Sequence, residues 1–87
     1  MAYWCINMDT GVMPITPYPT VIDARKGAIR MIKEDNPKEG VMISKYVTPL
    51  SNAEGIVQKI ENGYVWISRG KNGKRTQILN TDGRIRK

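Results

Sequence analysis

Residues 51–63 read Ser51-Asn52-Ala53-Glu54-Gly55-Ile56-Val57-Gln58-Lys59-Ile60-Glu61-Asn62-Gly63, and the balance of helix and strand turns on them. Ser51-Asn52-Ala53-Glu54 has the S-x-x-E form of a capping box, in which serine and glutamate side chains reciprocally satisfy backbone donors at a helix start. Ala53, Ile56, Val57 and Ile60 then share one face at helical spacing. Gly55 weakens such a helix by ~1 kcal/mol relative to alanine. Asn62-Gly63 supplies a left-handed stop. The stretch predicts a short helix.

Downstream, Tyr64–Arg69 and Arg75–Asn80 are β-rich runs joined around Asn72-Gly73, a strong two-residue hairpin signal. Asp82-Gly83 is a second turn, returning the chain into 84–87. These turns predict a three-stranded meander in which Lys71 faces Lys74, Ile67 faces Ile78 and Trp66 faces Leu79. Alternation sorts the side chains into two faces. One holds Val65, Ile67, Ile78 and Ile85, with Arg69 and Thr76 at its end. It reads as the core face, to be covered by helices. The other holds Tyr64, Trp66, Ser68, Arg75, Gln77, Leu79, Arg84 and Arg86, and reads as the outer face.

Upstream, Thr20–Asp35 is the best helix. Thr20 is placed to cap it, Asp23 sits in the first turn, and Val21, Ile22, Ala24, Ala28, Ile29 and Ile32 form the apolar stripe. Asn36-Pro37 ends it. Val41–Val47 reads as a strand stopped by Pro49, and Tyr3–Met8 as another, with Trp4, Ile6 and Met8 on one face. Asp9-Thr10-Gly11 is a turn, after which Val12–Ile15 returns as a short edge strand broken by Pro14. Tyr18, between two prolines, either presents an apolar contact with Met13 and Ile15 or lids the core.

Together these segments predict an α+β fold. It is a small mixed sheet of about four to five strands with two helices packed on one face and a C-terminal antiparallel meander. A chain of 87 residues is expected to form a single domain over 1–87.

Charge is the strongest functional signal. Residues 1–63 carry seven basic and seven acidic side chains; residues 64–87 carry seven basic side chains against Asp82 alone. The net +6 therefore belongs to the C-terminal quarter. Such a segment fits an anionic partner. An outer face mixing aromatics with arginines is a plausible nucleic-acid platform: Tyr64 and Trp66 would stack on bases, and Arg69, Lys71, Lys74, Arg75, Arg84 and Arg86 would hold phosphates. The plainer alternative gives Trp66 to the core and leaves the arginines to block sheet-edge pairing.

Histidine is absent and Cys5 is the single cysteine. The commonest general base, a zinc ligand set and an internal disulfide are thereby missing. Gly70–Lys74 is too short for a phosphate-binding P-loop and leads into a strand rather than a helix. Cys5 lies mid-strand with no histidine to activate it and reads as an inert, partly buried thiol. No apolar run approaches a membrane span, and Met1-Ala2-Tyr3-Trp4 opens directly into a strand-like pattern without a basic n-region, so no signal peptide is expected. The expectation is a small basic cytoplasmic protein, monomer or weak dimer, not an enzyme, with no cofactor or metal and no membrane association. It would bind DNA or RNA through residues 64–87. The alternative is a protein-interaction or inhibitor module that engages an acidic protein surface.

Overall fold

The computed structural model describes residues 2–45, 53–70 and 73–86. The order of elements is β1 (Trp4–Asn7), α1 (Val21–Asp35), β2 (Val41–Ser44), β3 (Ala53–Ile60), β4 (Gly63–Gly70) and β5 (Gly73–Leu79). The five strands form one sheet in the order β1-β2-β3-β4-β5, and every neighbouring pair is antiparallel. The fold is α+β as expected, but the sheet is not mixed.

The helix expected from Ser51 onward is instead the central strand β3. Its cap residues Ser51 and Asn52 lie outside the described residues, as do Tyr46, Val47 and Pro49. The physical reason is competition. A ten-residue helix containing glycine is marginal in water by itself. In β3, the β-branched Ile56, Val57 and Ile60 suit a pleated surface, and β2 on one side and β4 on the other pair with its backbone. Asn62-Gly63 then serves a hairpin rather than a helix stop: Ile60 pairs with Gly63 across Glu61-Asn62.

The one helix among the described residues follows its sequence signals closely. The Thr20 hydroxyl accepts the Asp23 N–H at 3.1 Å, and Asn36 closes the helix in the left-handed conformation with φ of 45°. Ala24, Ala28, Ile29 and Ile32 face the sheet and are buried. Gly27 is buried as well, because the Tyr18 ring occupies the place where a Cβ would project. Tyr18 thus packs on the core, while Ile15 is 90% exposed. Val12–Ile15 does not form a strand. Gly11 takes the turn with φ of 77°, the Asn7 N–H donates to the Val12 carbonyl, and Tyr3 and Tyr18 form an isolated antiparallel bridge. These contacts lie along the outer edge of β1.

α1 lies across β1, β2 and β3. The sheet face beneath it carries Cys5, Val41, Ile43, Val57, Tyr64, Trp66 and Leu79, which join the helix residues in the core. This corrects the expected meander. Alternation grouped the β4 and β5 side chains properly, but the helix covers the Tyr64, Trp66 and Leu79 face, not the Val65, Ile67 and Ile78 face. It misplaced the returning segment: Ile85, expected beside Val65 and Ile78, bridges to Leu79 and packs on the core, which turns Arg84 and Arg86 to the face opposite α1. Alternation alone cannot say which face a helix will cover; the volume and flat surface of tryptophan make its face the better one to bury.

The meander's register also differs from expectation. Gly70 pairs with Gly73, so Lys71 and Asn72, which lie outside the described residues, stand between them. Trp66 consequently pairs with Gln77, Tyr64 with Leu79 and Val65 with Ile78. After Asp82-Gly83 the chain returns along β5 through a bridge between Leu79 and Ile85, with the Arg86 N–H donating to the Ile78 carbonyl at 2.8 Å. Gly83 has φ of 89°, and its α-carbon approaches the Ile22 carbonyl of α1 so closely that a side chain would collide with it. This turn anchors the C-terminal segment to the first part of the helix.

Candidate nucleic-acid interface

Tyr64 and Trp66 are core residues, 9% and 4% exposed. The guanidinium carbon of Arg25 lies 4.4 Å from the centroid of the Trp66 ring. The far edge of the ring reaches Gly55, where an added Cβ would come within 2.5 Å of Cζ2. With one face covered by Arg25 and its edge enclosed by β3, Trp66 has no surface on which a base can stack. The stacking role expected of Tyr64 and Trp66 is therefore withdrawn.

The basic residues stand differently. Lys74, Arg75, Arg84 and Arg86 are exposed. Arg69 holds a place in β4 opposite Lys74, and Lys71 is outside the described residues. Alternation in β5 sends Lys74 to the face opposite α1 and Arg75 to the helix side. Arg84 and Arg86 belong to the returning segment beside β5. The structure thus spreads the exposed cations along the β5 edge, Lys74 and Arg75 where the strand begins and Arg84 and Arg86 beside its end, not on one flat surface.

Few acids neutralise them. Among the described residues, Arg84 and Asp82 form an ion pair at 3.9 Å, with both side chains largely exposed. Exposed pairs of this kind contribute little. Arg86 Nε donates to Asn80 Oδ1 at 3.1 Å, which orients the guanidinium without discharging it.

Arg25 is the functional-looking side chain that sequence reasoning missed. It is partly buried, its Nη1 donates to the Gly83 carbonyl at 3.3 Å, and its Nε has no partner among the described residues. Desolvation pulls its pKa below the usual arginine value. The signal was available: Arg25 is four residues from Val21 and three from Ala28, inside the apolar stripe. Its stem and guanidinium cover an aromatic face while one nitrogen staples the C-terminal turn.

Two further groups define what the chemistry can be. Cys5 is buried, its thiol donates to the Ala24 carbonyl at 3.2 Å, and burial pushes its pKa up to about 12, which keeps it protonated. Asp9 accepts the N–H groups of Glu39 at 2.9 Å and Lys38 at 2.7 Å, and these hold its carboxyl below the usual range. It ties the exit of β1 to the approach of β2. Among the described residues no three Cys, Asp or Glu side chains gather as a metal site would need. The face opposite α1 has a shallow depression of about 540 Å³ among Met8, Met42, Ile56, Gln58, Ile67 and Lys74. No helix among the described residues is long and apolar enough to cross a membrane.

Comparison of the chain with protein-family models, with curated proteins and with solved structures returned no match.

Proposed function

We propose that the protein is a non-enzymatic binding module that holds the phosphate backbone of DNA or RNA through its basic C-terminal hairpin and returning segment. The observation that carries this reading is the set of exposed cations Lys74, Arg75, Arg84 and Arg86 along the β5 edge, of which only Arg84 has an ion-pair partner among the described residues. Arg69 and Lys71 belong to the same hairpin. With Tyr64 and Trp66 in the core, the contacts are to phosphates rather than bases, and binding is expected to be indifferent to sequence and steeply dependent on salt.

The test is a titration of random single- and double-stranded oligonucleotides at several salt concentrations, read by fluorescence anisotropy and amide shifts. The four described cations set an expected slope of log affinity on log salt of about −3 to −4 for duplex, at ~0.9 per phosphate contacted. Shifts should fall within 64–87, and Arg75→Glu should weaken every oligonucleotide to a similar degree. Absence of binding at low salt would overturn the reading.

A second reading is engagement of an acidic protein. The observation favouring it is that the outward backbone groups of Lys74 and Thr76 in β5 have no partner among the described residues.

A further inference from the structure

A residue in a strand points its N–H and C=O to one side, and its neighbour points them to the other. The Ile78 carbonyl of β5 accepts from Arg86, and the Asn80 N–H donates to the Arg84 carbonyl. Both bonds lie on the side away from β4. Counting back by two, the N–H and C=O groups of Thr76 and Lys74 also point away from β4. They have no partner among the described residues. The returning segment thus pairs with the end of β5 through one bridge, and the rest of that edge has no partner among the described residues. The two edges of the sheet differ in this respect, because the outer side of β1 is engaged by Val12 and Tyr18.

We propose that the open edge of β5 accepts an acidic, extended peptide segment of a partner protein by strand addition. This rests on the second functional reading, not the nucleic-acid one. The backbone groups of Lys74 and Thr76 supply the hydrogen bonds, as in other recognition by an added strand. Charge selects the partner. The incoming strand runs beside Lys74 and Arg75, with Arg84 and Arg86 at one end and Asp82 already engaged by Arg84. A basic or neutral strand meets repulsion or an uncompensated charge there, whereas an acidic strand is favoured. The added side chains alternate, so one set lies beside Arg75 and Gln77, where carboxylates fit. The other set lies beside Lys74 and Thr76, short of Ile78, whose outer side Arg86 already occupies. A second copy of this chain is a poor occupant, since it brings a second +6 to the same place.

The test uses two capped synthetic peptides of about nine residues alternating glutamate and valine, a length that covers an ordinary strand. The second peptide has alternate backbone nitrogens methylated, which removes its inward-facing donors without changing its charge. Thr76→Pro deletes an outward N–H while sparing the ladder to β4. The first peptide is expected to bind, to slow solvent exchange of the Thr76 and Lys74 amides, and to lose about tenfold or more in affinity with methylation or with Thr76→Pro. Arg75→Glu should weaken peptide and oligonucleotide alike, whereas Thr76→Pro should leave oligonucleotide binding as it was.

Equal affinity of the two peptides for the unaltered protein would reduce the contact to charge alone and overturn strand addition, whether or not Thr76→Pro folds. Absence of peptide binding, or protection along β1 instead, would do the same. So would self-association that occupies the Thr76 amide in the absence of peptide. Loss of oligonucleotide binding with peptide binding intact would instead remove the nucleic-acid reading and leave strand addition standing.

Discussion

Gly55 lacks a side chain where Trp66 needs the room. The ring edge sits against the β3 backbone, and a methyl group there would meet Cζ2 at 2.5 Å and Cη2 at 2.6 Å. The ring cannot readily withdraw, because Arg25 covers it and the core surrounds it. Gly55→Ala should therefore destabilise the fold by about 1–3 kcal/mol, the usual range for overpacking. Urea denaturation will measure it, and an unchanged midpoint would show that the ring has somewhere else to go. Cys5 makes a different prediction at the same scale. Burial in the folded state raises its pKa from the ordinary 9.0 to about 12. The unfolded state therefore loses its proton first, and the stability that the neutral buried thiol contributes is complete below pH 9.0 and is lost as pH rises toward 12. Across that window the unaltered protein should lose stability relative to Cys5→Ala; parallel pH profiles would contradict this. At this scale the sequence was partly legible. Cys5 was recognisable as a quiet thiol from its strand position and the lack of histidine. Arg25 escaped notice because a charge within an apolar stripe looks like an irregularity until the aromatic beneath it is known.

Elements were legible where one physical signal dominated. α1 has a cap, a stripe and a stop that agree with one another, and it forms as expected. Thr20→Ala removes the hydroxyl that accepts from Asp23 and should cost about 1 kcal/mol in chemical denaturation, with Thr20→Ser restoring most of it. A null result would mean that packing of the helix on the sheet makes its cap dispensable. β3 was illegible because two signals conflict within 51–63. The local one, a capping box, favours helix; the non-local one, two neighbouring strands waiting for a partner, favours strand. Only the second supplies backbone partners on both sides, and local sequence does not reveal it. The inverted meander has a related cause. Period-two alternation gives membership of a face from local sequence, but the helix that covers that face, Val21–Asp35, lies far upstream of β4 and β5. Both candidate faces carry β-branched or aromatic side chains, so composition did not separate them. The basic residues of the proposed interface were legible because charge needs no knowledge of the fold, while the stacking role assigned to Tyr64 and Trp66 needed the one fact that alternation withholds.

For the whole molecule, charge and backbone act on the same region by different rules. Salt screens the cations of the hairpin but scarcely affects hydrogen bonding along β5. Raising ionic strength should therefore separate the two proposed activities, with oligonucleotide binding falling steeply and strand addition retaining a salt-resistant part. The unequal edges carry a further consequence. A sheet that is open on both sides can pass its hydrogen-bonding pattern from copy to copy and grow into a fibre. Here β1 is already engaged by the loop that follows it, and among the described residues β5 is the edge left without a partner along part of its length. On the proposed strand addition, such a molecule would end a row of strands rather than propagate one, and a chain that docks on it would gain one neighbour and no continuation.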